Sequence, residues 1–174
     1  GQETDGVGAL TTINGALTAG DVDLYAIRID DVDNFEASVV GGATFDTQMF
    51  LFAADGTGIT ENDDADGTLQ SLVNSDGSLG AGGSAGIYFL AISQFNNDPL
   101  DSDGIDMFGF DTWPGRGDQR SPVSSLALTN WDGATGGDGG DYSISLRGVS
   151  YAVPAPASLA LLGLGGLAAA RRRR

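Results

Sequence analysis

Gly86-Ile87-Tyr88-Phe89-Leu90-Ala91-Ile92-Ser93 is an apolar run of strand length and carries the strongest strand signal in the chain. Toward the N-terminus, Asp21-Val22-Asp23-Leu24-Tyr25-Ala26-Ile27-Arg28-Ile29 alternates cleanly. Val22, Leu24 and Ala26 share one face with Arg28, while Tyr25, Ile27 and Ile29 share the other, so much of both faces is expected to be buried. Phe35 to Val40 reads as another strand. Met49 to Ala53 is a short apolar run after Phe45-Asp46-Thr47, closed by the turn residues Asp55-Gly56-Thr57-Gly58. Weaker signals lie at Gly8 to Leu17 and around Leu69, Leu72 and Val73. Tyr142 to Arg147 reads as the closing strand.

Composition agrees with these strands. The 174 residues include 24 Asp and Glu, and all but Glu3, Glu36 and Glu61 are Asp. Asp favours turns, where its short carboxylate bonds nearby backbone, and Glu is the better helix former. With 28 Gly as well, the chain reads as strands joined by Asp/Gly turns. The expected fold is all-β, a jelly-roll-like antiparallel β-sandwich over residues 1–150. Residues 94–140 have little periodicity and are expected to form a long loop or insertion, with one strand at Ser124 to Leu128. A Pro/Ala linker at 151–158 and a hydrophobic helix with an Arg-rich stop at 159–174 complete the expected organisation.

The missing residue types exclude much chemistry. There is no Cys and no His, so there is no disulfide framework, no Ser–His pair, no Cys nucleophile and no His/Cys zinc site. All eight basic residues are Arg, so the Lys of a P-loop is absent too. A carboxylate pair survives as catalytic chemistry, but no pair stands out among so many acids, and the chain is expected not to be an enzyme. Four of the eight Arg form the run 171–174, which leaves four facing the 24 acids elsewhere. Nucleic acid is a poor partner for that surface and cations are good ones. A chain beginning Gly1-Gln2-Glu3-Thr4 is what removal of a signal peptide would leave.

The C-terminal stretch has three parts. Val153-Pro154-Ala155-Pro156 is followed by an apolar segment from Leu159 to Ala170, then by Arg171 to Arg174. The apolar segment is shorter than the roughly 20 residues that span a bilayer, and the Arg cluster suits a cytoplasmic stop. This arrangement resembles the PEP-CTERM sorting signal of Gram-negative bacteria, with Ala155 standing where the usual residue is Glu. The resemblance implies an exported protein held in the membrane by its tail until an exosortase processes it, and then located at the outer cell surface or in the extracellular matrix. The alternative is a hydrophobic helix packed on the domain. Gly163, Gly165 and Gly166 allow close helix approach, so retained tails are expected to bundle copies into a homopolymer.

Residues 15–147 resemble the bacterial pre-peptidase C-terminal domain, through Gly20 to Ile27, Phe45 to Phe52, Ala54-Asp55-Gly56, the acidic loop at Asn62-Asp63-Asp64, Gly86 to Leu90 and Tyr142 to Leu146. The resemblance implies a non-catalytic sandwich module, and some such domains bind calcium. Calcium also fits the residues themselves, since Ca²⁺ takes six to eight hard oxygen ligands. Asn62, Asp64 and Asp66 alternate before Gly67, like the start of an EF-hand loop, but Val73 stands where the bidentate Glu is needed. The candidate ligands are Asp46, Asn62, Asp63, Asp64 and Asp66, with a second set at Asn97, Asp98, Asp101 and Asp103. The plain reading of the same residues is as turn formers and solubilising charge. Trp113 and Trp131, in the loop-rich segment, either stack on sugars or plug the ends of the sandwich. The expected function is that of a non-enzymatic surface or matrix protein, calcium-stabilised and self-assembling, and the alternative is a polysaccharide-binding or adhesive module.

Overall fold

The computed structural model describes residues 1–76, 79, 83–109, 117–133 and 139–154. The expected C-terminal helix, Trp113, Ala155 and Pro156 lie outside the described residues. Among those described, every regular element is a strand: β1 (Gln2–Glu3), β2 (Asp5–Gly6), β3 (Thr12–Leu17), β4 (Val22–Ile29), β5 (Glu36–Ser38), β6 (Thr47–Ala53), β7 (Gly58–Asn62), β8 (Leu72–Asn74), β9 (Gly86–Gln94), β10 (Pro99–Asp101), β11 (Leu128–Trp131), β12 (Gly140–Arg147), β13 (Val149–Tyr151) and β14 (Val153–Pro154).

One sheet runs β1-β4-β9-β6-β7, with β13 also paired to β4. The other runs β3-β12-β5-β8 and is antiparallel throughout. Side-chain alternation explains how the two sheets face each other. Tyr25, Ile27 and Ile29 of β4, Met49 and Leu51 of β6, and Tyr88, Leu90 and Ile92 of β9 turn toward the second sheet. There they meet Ile13, Leu17, Ala37, Val73, Tyr142, Ile144 and Leu146 in the main core. The result is a sandwich-like all-β fold.

At one of its crossings between the sheets the chain uses a single residue. Gly148 alone separates β12, in one sheet, from β13, in the other. Its φ is +70°, and a Cβ there would sit 2.5 Å from the Asp31 carbonyl oxygen. A side chain is thus excluded both by conformation and by space.

The outer face of the first sheet is also buried. Phe50 and Phe52 of β6 and Ala91 of β9 pack with Met107 and Phe108, and with the partly buried Val22, Leu24, Phe89, Leu128 and Trp131. Five ring pairs knit this second core, among them Phe50–Phe108 at 5.6 Å and Phe50–Trp131 at 5.3 Å between centroids. Burial on both faces is why the stretches of β6 and β9 read as unbroken apolar runs.

Part of the segment expected to be a loop, 94–140, is therefore a third layer. It contributes β10 and β11, which pair antiparallel. The strand expected at Ser124 to Leu128 forms instead at Leu128–Trp131. The reason lies in packing: Leu128 and Trp131 reach the second core, while Leu126 is exposed. Strand β7 occupies polar sequence between the expected turn and the expected acidic loop. It is held by β6 on one side and by a bridge from Glu61 to Arg120 on the other. Strand pairing also runs past residue 150, so Tyr151 and Val153–Pro154, placed by the sequence in a linker, are hydrogen-bonded to the domain.

Candidate functional site

The β6–β7 hairpin gathers acidic residues at its open end. Asp46 lies just before β6, and Asp63 and Asp64 lie just after β7. The register Met49 opposite Asn62 brings those two ends together. One carboxylate oxygen from each of Asp46, Asp63 and Asp64 lies within 4.8 Å of the others. Asp63 and Asp64 are buried, and Asp46 is half-buried.

Asn62 fixes the loop that makes this possible. Its Nδ2 donates to the carbonyl oxygens of Asp64 and Asp118, both at 3.1 Å, and its Oδ1 accepts from the Leu72 amide at 2.8 Å. Both ends of the amide are thereby engaged with backbone, which holds the 62–64 turn against the 118 region. Asp63, next in sequence, is left with Oδ1 buried and without a hydrogen-bond partner. Its Oδ2 faces Arg120 Nη2 at 4.0 Å.

Among the described residues, Arg120 is the cation of this region. Its Nε lies 2.8 Å from Glu61 Oε1, with both side chains buried. The backbones exchange hydrogen bonds as well, Glu61 N to Arg120 O at 3.1 Å and Arg120 N to Glu61 O at 3.0 Å. Burial pushes Glu61 up to about 8, although Arg120 pulls it down. Burial likewise raises Asp63 to about 7, helped by the charges of Asp64 and Asp46 and opposed by Arg120. Asp98 is pushed up to about 6 by burial, against a hydrogen bond from Gln48. Among the described residues, one guanidinium thus acts on Glu61, Asp63 and Asp98 together.

The donor set is uniformly hard oxygen, which suits Ca²⁺ or Mg²⁺ and not a thiophilic metal. Calcium binds oxygen at about 2.3–2.6 Å, so ligands on opposite sides of one ion stand roughly 5 Å apart. The spacing of the three carboxylates fits that dimension. A divalent cation held among these carboxylates would lower their mutual repulsion.

The other candidate residues have different surroundings. Asp66 is exposed and stands outside the three-carboxylate group. Asn97 braces loops: its amide accepts from Gly133 N at 3.1 Å and donates to Gly20 O at 3.3 Å. Asp98 is engaged by Gln48, and Asp103 is exposed. Asp101 caps its own turn, accepting from Asp103 N and Ile105 N through Oδ1 and from Ser124 Oγ through Oδ2. Among the described residues, this second set brings no three carboxylates together. Trp131 lays its ring edge-on to Phe50 and Phe52. Sequence reasoning missed Glu61 and Arg120. The available signal was rarity, since Glu61 is one of three Glu and Arg120 one of four Arg outside the terminal run.

The start of the C-terminal segment is a second site. Tyr151 pairs with Ile27 at the end of β13. The Ala152 amide then donates to Thr4 Oγ1 at 3.0 Å, and the Val153 amide donates to Thr4 O at 3.0 Å. Thr4 Oγ1 itself donates to Ala26 O at 2.7 Å. Strand β14 runs parallel to β2, with Val153 opposite Asp5 and Pro154 opposite Gly6.

With this geometry in view, the C-terminal segment defines an exported protein sorted to the cell envelope. Residues 152–174 match the PEP-CTERM protein-sorting motif, the signal that an exosortase recognises. That match covers the tail and does not extend to the resemblance of residues 15–147 to pre-peptidase C-terminal domains. No curated protein and no solved structure matches the chain.

Proposed function

We propose that this chain is a non-enzymatic structural protein of the cell surface or extracellular matrix, a jelly-roll-like sandwich stabilised by calcium and delivered by its sorting tail. The observation that carries the reading is the sorting motif at 152–174, which begins on the last strand paired to the sandwich. A non-catalytic role is supported by the residue inventory and by burial. The perturbed carboxylates Glu61 and Asp63 are 0% and 4% exposed, which keeps them from a substrate. Calcium is supported by the hard-oxygen spacing at Asp46, Asp63 and Asp64. The finer part of the proposal is that copies associate through the apolar segment 159–170, where Gly163, Gly165 and Gly166 permit close approach. The polysaccharide-binding alternative is weakened at Trp131, whose ring is committed to the second core.

Fractionation of the producing bacterium tests the delivery. The protein is expected in the envelope or outside the cell, and a chain ending at residue 151 is expected to lose that location. Full-length protein recovered from the cytosol would overturn the reading. Calcium is tested by calorimetry of the folded domain. Saturation to about 100 times Kd stabilises by roughly 2.7 kcal/mol, so millimolar calcium is expected to raise Tm over an EGTA-treated sample. Asp63→Asn should abolish the increment, and an unchanged wild-type Tm would remove calcium from the proposal.

A further inference from the structure

We infer that Thr4 is a latch that docks the start of the sorting motif on the folded domain and so slows its processing; the inference rests on the sorting role proposed above. The matched segment begins at Ala152, and Ala152, Val153 and Pro154 are held on the sandwich by Thr4 and β2. Thr4 is suited to this role because its hydroxyl works in both directions. It donates to Ala26 O in β4 and accepts from Ala152 N, tying the motif to an inner strand of the sheet. Gly6 completes the latch. A Cβ at residue 6 would come within 2.6 Å of the Tyr151 ring, so a side chain there would require that ring to move away from β2.

Two physical consequences bear on a processing enzyme. Enzymes that cut or transfer peptide segments grip them as extended strands through backbone hydrogen bonds. In the docked state one backbone edge of Val153–Pro154 is already taken by β2. Reach is the second consequence. Leu159, where the apolar segment begins, is five residues beyond Pro154, and five extended residues span at most about 18 Å. With β14 docked, the body of the sandwich is therefore tethered close to the membrane-directed segment, over the stretch the enzyme must enter. Undocking Ala152 to Pro154 frees both the edge and the distance. The latch thereby couples tail removal to local opening of the domain.

The test compares the full chain with Thr4→Val, which keeps the branched shape and removes both hydroxyl bonds. Two rates are read: tail loss in cells that carry the processing enzyme, by mass of the product, and amide exchange at Ala152 and Val153 in the purified protein. Loss of one ordinary hydrogen bond changes a local equilibrium about fivefold. Thr4→Val is expected to speed both rates by about that factor while leaving the melting transition of the sandwich in place. The opposite variant pairs Asp5→Cys with Val153→Cys, residues that face each other across β2 and β14. Its oxidised form is expected to retain the tail, and reductant to restore processing. Equal processing in wild type and Thr4→Val, with faster exchange in the variant, would overturn the latch while leaving the sorting role intact. Absence of processing from every chain would overturn the latch, because it would have no step to slow, while the location of the protein on fractionation reports separately on the sorting role. If Thr4→Val lowers the overall melting transition, the cysteine pair decides, and a tail lost equally fast in its oxidised and reduced forms overturns the latch.

Discussion

Phe108→Ala tests whether the segment after β9 is a structural layer or a loop lying on the surface. Phe108 belongs to that segment, is 2% exposed, and sits 5.6 Å from Phe50 and 6.1 Å from Phe52 between ring centroids. Removing a fully buried Phe forfeits about 1.5–3 kcal/mol of transfer free energy. The cavity left among Phe50, Phe52 and Met107 adds to this, for a total of about 3–5 kcal/mol. Urea unfolding followed by tryptophan fluorescence measures it, with Trp131 reporting from the same cluster. Phe52→Ala, on the sheet side of the contact, should cost a similar amount. The double variant should cost less than the sum, because the two rings share one cavity. A cost below about 1 kcal/mol for Phe108→Ala, the behaviour of surface substitutions, would refute the third layer.

Arg120→Met, measured at pH 9 where Glu61 is ionised, should destabilise by about 3–5 kcal/mol, because Glu61 and Asp63 are left buried without their cation. Adding Glu61→Gln should recover most of that loss in the same unfolding assay. The metal-free protein should melt at a lower temperature at pH 7.5 than at pH 5. Asp98 has a folded pKa of about 6, above its ordinary value near 3.8, so its contribution is fully present below the lower value and is lost as pH rises through the upper one. Glu61 and Asp63, raised to about 8 and about 7, lose stability over the same range, so Asp98→Asn should reduce the difference without abolishing it, and an unchanged difference would disprove the assignment to Asp98. Gly148→Ala should destabilise by more than about 1 kcal/mol in a thermal melt, from positive φ and contact with Asp31 O together.

Much of the sheet structure was legible because burial writes itself into alternation. β4 showed two distinct faces, and β6 and β9 showed the unbroken runs of strands covered on both sides. What could not be read was the identity of the cover. Met107, Phe108 and Trp131 are scattered through a segment without period, and they become a core only when the chain folds back over Phe50 and Phe52. β7 was hidden for a similar reason: Gly-Ile-Thr-Glu-Asn carries little apolar signal, and its glutamate is buried because Arg120 comes from 59 residues away to meet it. In the acidic site, Asp46, Asp63 and Asp64 were visible as a composition but not as a set. Their separation from Asn62 and Asp66 depends on which side chain turns to the backbone and which to the interior, and that is decided by the turn after β7. The sorting tail was legible from its three-part pattern, whereas its anchorage at Thr4 was not, since nothing in Gly-Gln-Glu-Thr signals a partner some 150 residues on.

The pairing of distant strands also sets a timetable. β12, from residues 140–147, joins β3 to β5, and β13 and β14 close onto β4 and β2. The second sheet has no continuous hydrogen-bonded path without that late strand. A chain emerging from its N-terminus therefore holds most of its sequence before it can complete the second sheet, and contacts of such long span form slowly. By the time the sandwich can close, the sorting segment is the next stretch to appear. The path β1-β4-β9-β6-β7 is in place by Gln94, so what waits for the last third of the chain is the second sheet and, with it, closure of the sandwich.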